Sequence, residues 1–183
     1  ACIWMAQELE GGAPAMAQRT MTFSIRYATH LPVLLQAMRK TKGDVLELGM
    51  GIFSTPLLHW WCHVDRRRLV SYDNSWRYLN WAVAYDGPEH EVHFVDYWDE
   101  ADIEREWDVV LVDHSPSGRR VEEIRRLANL AKYMVIHDTN GRYNREYHFD
   151  TIWPLFREQL NFDGAEPSTS VVSNLMSLEG FWK

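Results

Sequence analysis

The sequence predicts an α/β protein: a Rossmann-like doubly wound sheet, mostly parallel, of seven strands with a C-terminal antiparallel hairpin. Three observations carry that expectation. Short runs rich in Val, Leu and Ile alternate with helical patterns, the order that builds a parallel sheet covered on both faces. Four of those runs end in an acid, at Asp73, Asp96, Asp113 and Asp138. The first run, Val45-Leu46-Glu47-Leu48, passes through Gly49-Met50-Gly51 into a helix start at Ser54-Thr55-Pro56, as such a sheet does where it opens a nucleotide site.

The elements follow in order. A helix is expected from Leu31 to Met38, with Pro32 in its first turn and Gly43 ending the connection to the first strand. Ser54 to about His63 is the second helix, and Leu69–Asp73 the second strand. Ser75 to Tyr85 reads as a helix, Val92–Val95 as the third strand and Trp107–Asp113 as the fourth. Val121, Ile124, Leu127 and Ala128 fall at helical spacing within Arg119–Ala131. Tyr133–Asp138 is the fifth strand. A helix over Ile152–Leu160 then precedes two closing strands, near Thr169–Ser173 and Leu178–Trp182, joined too closely to be parallel.

Composition bounds the function. The chain has 183 residues, 46% hydrophobic and 25% charged, enough for one domain with a sizeable core. Residues 1–20, broken by Gly11-Gly12-Ala13-Pro14, read as a flexible N-terminal segment, and 21–183 as the domain. No apolar run approaches a membrane span. A formal charge of −7 argues against a broad phosphate-binding surface, so nucleic acid is not the expected partner. Cys2 and Cys62 make no disulfide framework, which fits a reducing, cytoplasmic setting. His59, Cys62 and His63 have zinc-like spacing but lack a second ligand cluster, and packing roles are expected of them. Trp60 and Trp61 suggest a homodimer contact.

In a parallel sheet the carboxyl ends share one edge, so the four terminal acids line one crevice beside the glycine turn. Gly49 and Gly51 permit the sharp turn and a close ligand approach. A dinucleotide fingerprint would need a third glycine where Ser54 stands, although Asp73 alone would suit a nicotinamide ribose as well. An acid-lined crevice suits a cationic cofactor better than a pyrophosphate.

Through Glu47-Leu48-Gly49-Met50-Gly51, Asp73, Val95-Asp96-Tyr97-Trp98 and Asp113, the chain from about Met21 onward resembles the class I S-adenosylmethionine-dependent methyltransferases. The resemblance implies a cofactor set of Glu47, Gly49, Gly51, Ser54, Asp73, Asp96, Tyr97, Trp98 and Asp113. In it Glu47 lies near the methionine amino group, Asp73 holds the ribose, Asp96 reaches the adenine amine, and Tyr97 or Trp98 walls the ring. The activity implied is methyl transfer to a small-molecule acceptor at oxygen. The alternative is a cofactor-binding protein of the same fold without transfer.

A hydroxyl acceptor must lose a proton to a base or be activated by a metal. Asp113-His114-Ser115-Pro116 and His137-Asp138-Thr139-Asn140 supply the candidates. The first resembles the Asp-His segment of catechol-type O-methyltransferases, which implies Mg²⁺ held by Asp113, Asp138 and Asn140, with Asn140 one place late in the pattern. Without metal, His137 or His114 is the candidate base. The Val-Asp-His-x-Pro…Arg-Arg and His-Asp-Thr pattern is also similar to bacterial and phage-associated methyltransferase-like proteins, which adds Arg119 to the set. One of Arg119 and Arg120 is a candidate for an anionic substrate group. His30 is a candidate to enter the crevice, and Gly141–Phe149 reads as a substrate lid.

Overall fold

A computed structural model describes residues 24–183; the expected N-terminal segment, 1–20, lies outside the described residues. Seven strands form one sheet in the order β3-β2-β1-β4-β5-β7-β6. Five are parallel: β1 Val45–Leu48, β2 Leu69–Asp73, β3 His90–Phe94, β4 Trp107–Val112 and β5 Ala131–His137. β6 Glu158–Phe162 and β7 Thr169–Ser173 close the edge as an antiparallel hairpin, with β7 paired to β5.

Every residue of β1, β2 and β4 is buried, as expected of central strands covered on both faces. Alternate residues serve opposite layers. Leu46, Leu48, Val110 and Val112 pack with Val121, Ile124 and Leu127 of α4, Arg120–Leu127. Val45, Val109 and Leu111 pack with Leu34 and Met38 of α1, Leu31–Arg39, and with Leu58 and Cys62 of α2, Ser54–Asp65. Glu47 shares its parity with Val45 and therefore points into the α2 layer. The remaining helices are α3, Trp76–Ala82, and α5, Gly141–Glu146. Among the described residues no helix is long and apolar enough to cross a membrane.

The hairpin is present, but on other residues than expected. The predicted helix over Ile152–Leu160 is a single 3-10 turn, Trp153–Leu155, followed by β6. Pro154 limits the helix. From Glu158 to Phe162 burial alternates strictly between half-buried and exposed, the period of an edge strand. The predicted strand Leu178–Trp182 is a turn whose Leu178 and Phe181 plug the α1/α2 layer. The expected lid, Gly141–Phe149, is α5 and the turn after it, and Tyr143 lines the crevice.

Candidate active site

The carboxyl ends of β1, β2, β4 and β5 share one edge, and a crevice of about 730 Å³ opens there. Gly49, Gly51, Asp73, Asp113, His114, His137 and Asp138 all line it, so most of the strand-end residues expected at the site converge. Gly49 has φ +95°, and a Cβ there would stand 2.6 Å from the backbone of Asp113 and His114. The turn after β1 and the turn after β4 pass too closely for any side chain. Asp73 ties the glycine turn to the end of β2: its carboxylate accepts from the Met50 N–H at 2.8 Å and from the Ser75 N–H at 2.7 Å. Burial pushes the Asp73 carboxyl up to about 6.

Glu47 and Ser54 are beneath this turn and do not line the crevice. The Glu47 carboxyl accepts from Thr55 Oγ1 at 2.9 Å and from Ser71 Oγ at 2.7 Å. Thr55 Oγ1 in turn accepts from the Gly51 N–H at 2.9 Å, so Glu47 braces the glycine turn from below. Behind Ser71, His90 Nε2 is 2.9 Å away, and His90 Nδ1 meets His59 Nδ1 at 3.2 Å. Among the described residues no cation partners Glu47, and burial pushes its carboxyl up to about 7. Burial also pushes the Cys62 thiol up to about 12, which leaves it an inert core residue.

The expected adenine wall is not assembled. Asp96 and Tyr97 are exposed and outside the crevice lining. Trp98 is in the core, where its indole N–H donates to the Ser115 carbonyl at 2.7 Å and its ring lies 3.9 Å from that of His114. The His114 side chain is fully buried, 3.3 Å from Glu123. It fills the α4 layer and presents no ring to the crevice.

The opposite wall is a network around Arg120, which sequence spacing had not separated from Arg119. The Arg120 guanidinium donates to the carbonyls of His114 and His137 at 2.8 and 3.2 Å, and to Asp113 Oδ1 and Asp138 Oδ2 at 2.9 and 3.3 Å. Arg119 turns away to Asp99 and Glu123. Asp113 Oδ1 also meets His137 Nδ1 at 3.1 Å, and His137 Nε2 meets Thr29 Oγ1 at 2.8 Å. Burial pushes the Asp113 carboxyl up, but the His137 and Arg120 charges outweigh it and hold the group well below the usual carboxylate range. Burial lowers His137, and the Asp113 charge reverses that into a net rise. Asp138 is raised by burial and stands in left-handed backbone at φ +61°, a conformation that Asp tolerates and that often marks a functional turn.

The Mg²⁺ set does not come together. Arg120 bridges Asp113 and Asp138 where two acids would have to share an ion, and the Asn140 amide reaches Glu166 at 3.3 Å, away from the crevice. The crevice instead gains His30, delivered by the 3-10 turn Ile25–Ala28 ahead of α1. Pro32 at the start of α1 was the only sequence signal for that delivery.

No family model and no curated protein matches the sequence. Solved structures do match the fold. A Podospora anserina methyltransferase bound to S-adenosylhomocysteine superposes with a TM-score of 0.62 at 11% identity, covering 84% of this chain and 79% of that one. The N-methyltransferase NodS from Bradyrhizobium japonicum, also with S-adenosylhomocysteine, gives 0.55 at 12% identity over 78% and 83%. An O-methyltransferase from Bacillus cereus in complex with the same molecule gives 0.53 at 13% over 81% and 80%. The chain has the Rossmann-like methyltransferase fold.

Proposed function

We propose that the chain is an S-adenosylmethionine-dependent methyltransferase acting on a small-molecule acceptor at oxygen. The observation that carries this reading is the pairing, in this fold, of the constrained Gly49 turn with Asp73 at the crevice edge of β2. Asp73 uses one lone pair on each oxygen for the backbone and keeps the others for a ribose diol. Asp113 and Asp138 add negative potential along the same wall, which favours a ligand carrying a sulfonium and an ammonium. The donor set therefore fits the cofactor through Gly49, Gly51, Asp73 and Asp113. Glu47 and Ser54 serve it from beneath, by holding the turn.

S-adenosylmethionine, when bound, supplies a methyl group already activated by its sulfonium. What this chain adds is positioning, the main contribution to an in-line transfer. The acceptor faces the wall of Asp113, His137, Asp138 and His30, and Tyr27 and Tyr143 narrow the space around it. His137 is not free to take the acceptor's proton, since Nδ1 faces Asp113 and Nε2 faces Thr29.

Calorimetry with S-adenosylhomocysteine tests the cofactor step. Binding is expected, and Asp73→Ala should weaken it by about 10- to 100-fold, the worth of hydrogen bonds to a charged group. Absence of binding at millimolar ligand overturns the reading, and an unchanged affinity in the variant removes Asp73 from the ribose.

A further inference from the structure

His30 is left unused by every contact described so far. It is 2% exposed, and among the described residues neither ring nitrogen has a hydrogen-bond partner. Polar atoms left unmet at such depth are costly, so a ligand is expected to meet at least one of them. His30 lies edge-on to His137, with ring centroids 5.0 Å apart. One ligand atom from each of His30, Asp113 and His137 lies within 4.8 Å of the other two.

We infer that His30, Asp113 and His137 form a binding site for one divalent first-row transition ion of the zinc and cobalt kind. Three features of the surroundings support it. Thr29 Oγ1 donates to the Arg26 carbonyl at 3.2 Å, so it accepts from His137 Nε2–H at 2.8 Å. That fixes the imidazole so that Nδ1 faces Asp113 Oδ1, 3.1 Å away. A proton or a cation must lie between these two atoms. Ligands ~2.1 Å from one ion in a tetrahedral arrangement stand about 3.4 Å apart, so the pair holds a proton as it stands and admits a cation after opening by a few tenths of an ångström. Thr29 is then the outer partner that orients a metal-bound histidine, and Arg120 the outer partner of the carboxylate.

The charges are compatible with a cation once His137 is neutral. Asp113 and Asp138 against Arg120 leave one net negative charge beside two imidazoles. Two ring nitrogens with one carboxylate oxygen select a transition ion over Mg²⁺, which prefers oxygen ligands. Three protein ligands leave a coordination position open toward the crevice. A hydroxyl acceptor polarised there would lose its proton more readily; that role rests on the methyl-transfer reading, whereas the ion site does not.

The test uses the full chain, stripped with a chelator and titrated with Co²⁺ while visible absorption is followed, with Zn²⁺ and Mg²⁺ by calorimetry. One Co²⁺ per chain is expected, with Mg²⁺ far weaker. His30→Phe keeps the ring shape and removes no hydrogen bond, and it should weaken Co²⁺ binding by at least about 100-fold at an unchanged metal-free melting midpoint. Thr29→Val should weaken it by about tenfold, as loss of an outer partner does, and it serves as the second probe if His30→Phe unfolds. No Co²⁺ binding by the unaltered chain, equal Mg²⁺ binding, or affinity indifferent to both substitutions overturns the site. S-adenosylhomocysteine binding without Co²⁺ binding would sink the ion site alone, and the converse would sink the methyl-transfer reading alone.

Discussion

Two acids at neighbouring strand ends, Glu47 fully buried and Asp113 half-buried at the crevice, take opposite protonation preferences. Glu47, in β1, is hydrogen-bonded by Thr55 and Ser71, with His90 behind. Asp113, just past β4, contacts His137, with Thr29 behind. Burial raises both carboxyls. For Glu47 nothing reverses it, and the group sits near 7. For Asp113 the His137 and Arg120 charges reverse it, and the group stays an anion. Hydroxyls and a neutral histidine therefore make a scaffold under the glycine turn, while a guanidinium makes a charged wall in the crevice. His90, lowered to about 4 by burial, is neutral through the physiological range and cannot play the part of Arg120.

Removing the guanidinium tests this contrast most severely. Arg120→Met fills similar space but leaves Asp113 and Asp138 without their shared cation and strips the His114 and His137 carbonyls of a donor. Breaking one side of a buried pair costs about 3–5 kcal/mol, to be read from urea unfolding at pH 7. A loss below about 1 kcal/mol would mean that Asp113 owes its charge to solvent or to His137 alone.

The converse change at Glu47 should stabilise. A carboxyl whose folded pKa is raised holds its proton in the folded chain over a range where the unfolded chain has lost it. Stability due to Glu47 is therefore full near pH 4.5 and falls as pH rises toward 7. A shift of that size corresponds to roughly 3 kcal/mol at the alkaline end. Glu47→Gln mimics the protonated side chain and removes the fall. The difference in melting midpoint between variant and parent should grow in the variant's favour from pH 5 to pH 8. A difference flat with pH would show that Glu47 is ionised by some partner, and the contrast with Asp113 would collapse. Asp73, raised to about 6, titrates in the same interval, and His90, lowered to about 4, below it, but both are common to the two proteins.

How much of this was legible beforehand follows from which rule each residue obeys. Asp73, Asp113, His137 and Asp138 end apolar runs, and topology alone sends strand ends to one edge. Gly49 was legible as a turn, though the closeness of the Asp113–His114 backbone was not. Glu47 was misplaced by reading a motif where period two already answered: its neighbours Leu46 and Leu48 face α4, so it faces α2. Arg120 falls on the stripe of Ile124 and Leu127, four and seven residues on, which marks it as inward-facing. Trp98 was read as a pocket wall because it follows a strand-end acid, yet a large indole with one donor is equally at home in a core. The closing hairpin was displaced because Glu158–Phe162 was read as the end of a helix despite its strict alternation.

The smallest expected effect separates charge from placement. Arg119 adjoins Arg120 in the chain and carries the same group, but it pairs with the exposed Asp99 and with one oxygen of Glu123. Asp99 is 76% exposed at its side chain, so that pair is screened by water. Arg126 approaches the same Glu123 oxygen at 3.6 Å and remains when Arg119 is gone. Arg119→Ala should therefore cost about 1 kcal/mol or less and leave S-adenosylhomocysteine affinity unchanged within twofold. A loss comparable to that of Arg120→Met would locate the decisive cation outside the crevice, and Asp113 would no longer differ from Glu47 for the reason given. If the two arginines separate as expected, what keeps one acid charged while the other holds its proton is His137 together with one guanidinium placed inward by the phase of α4.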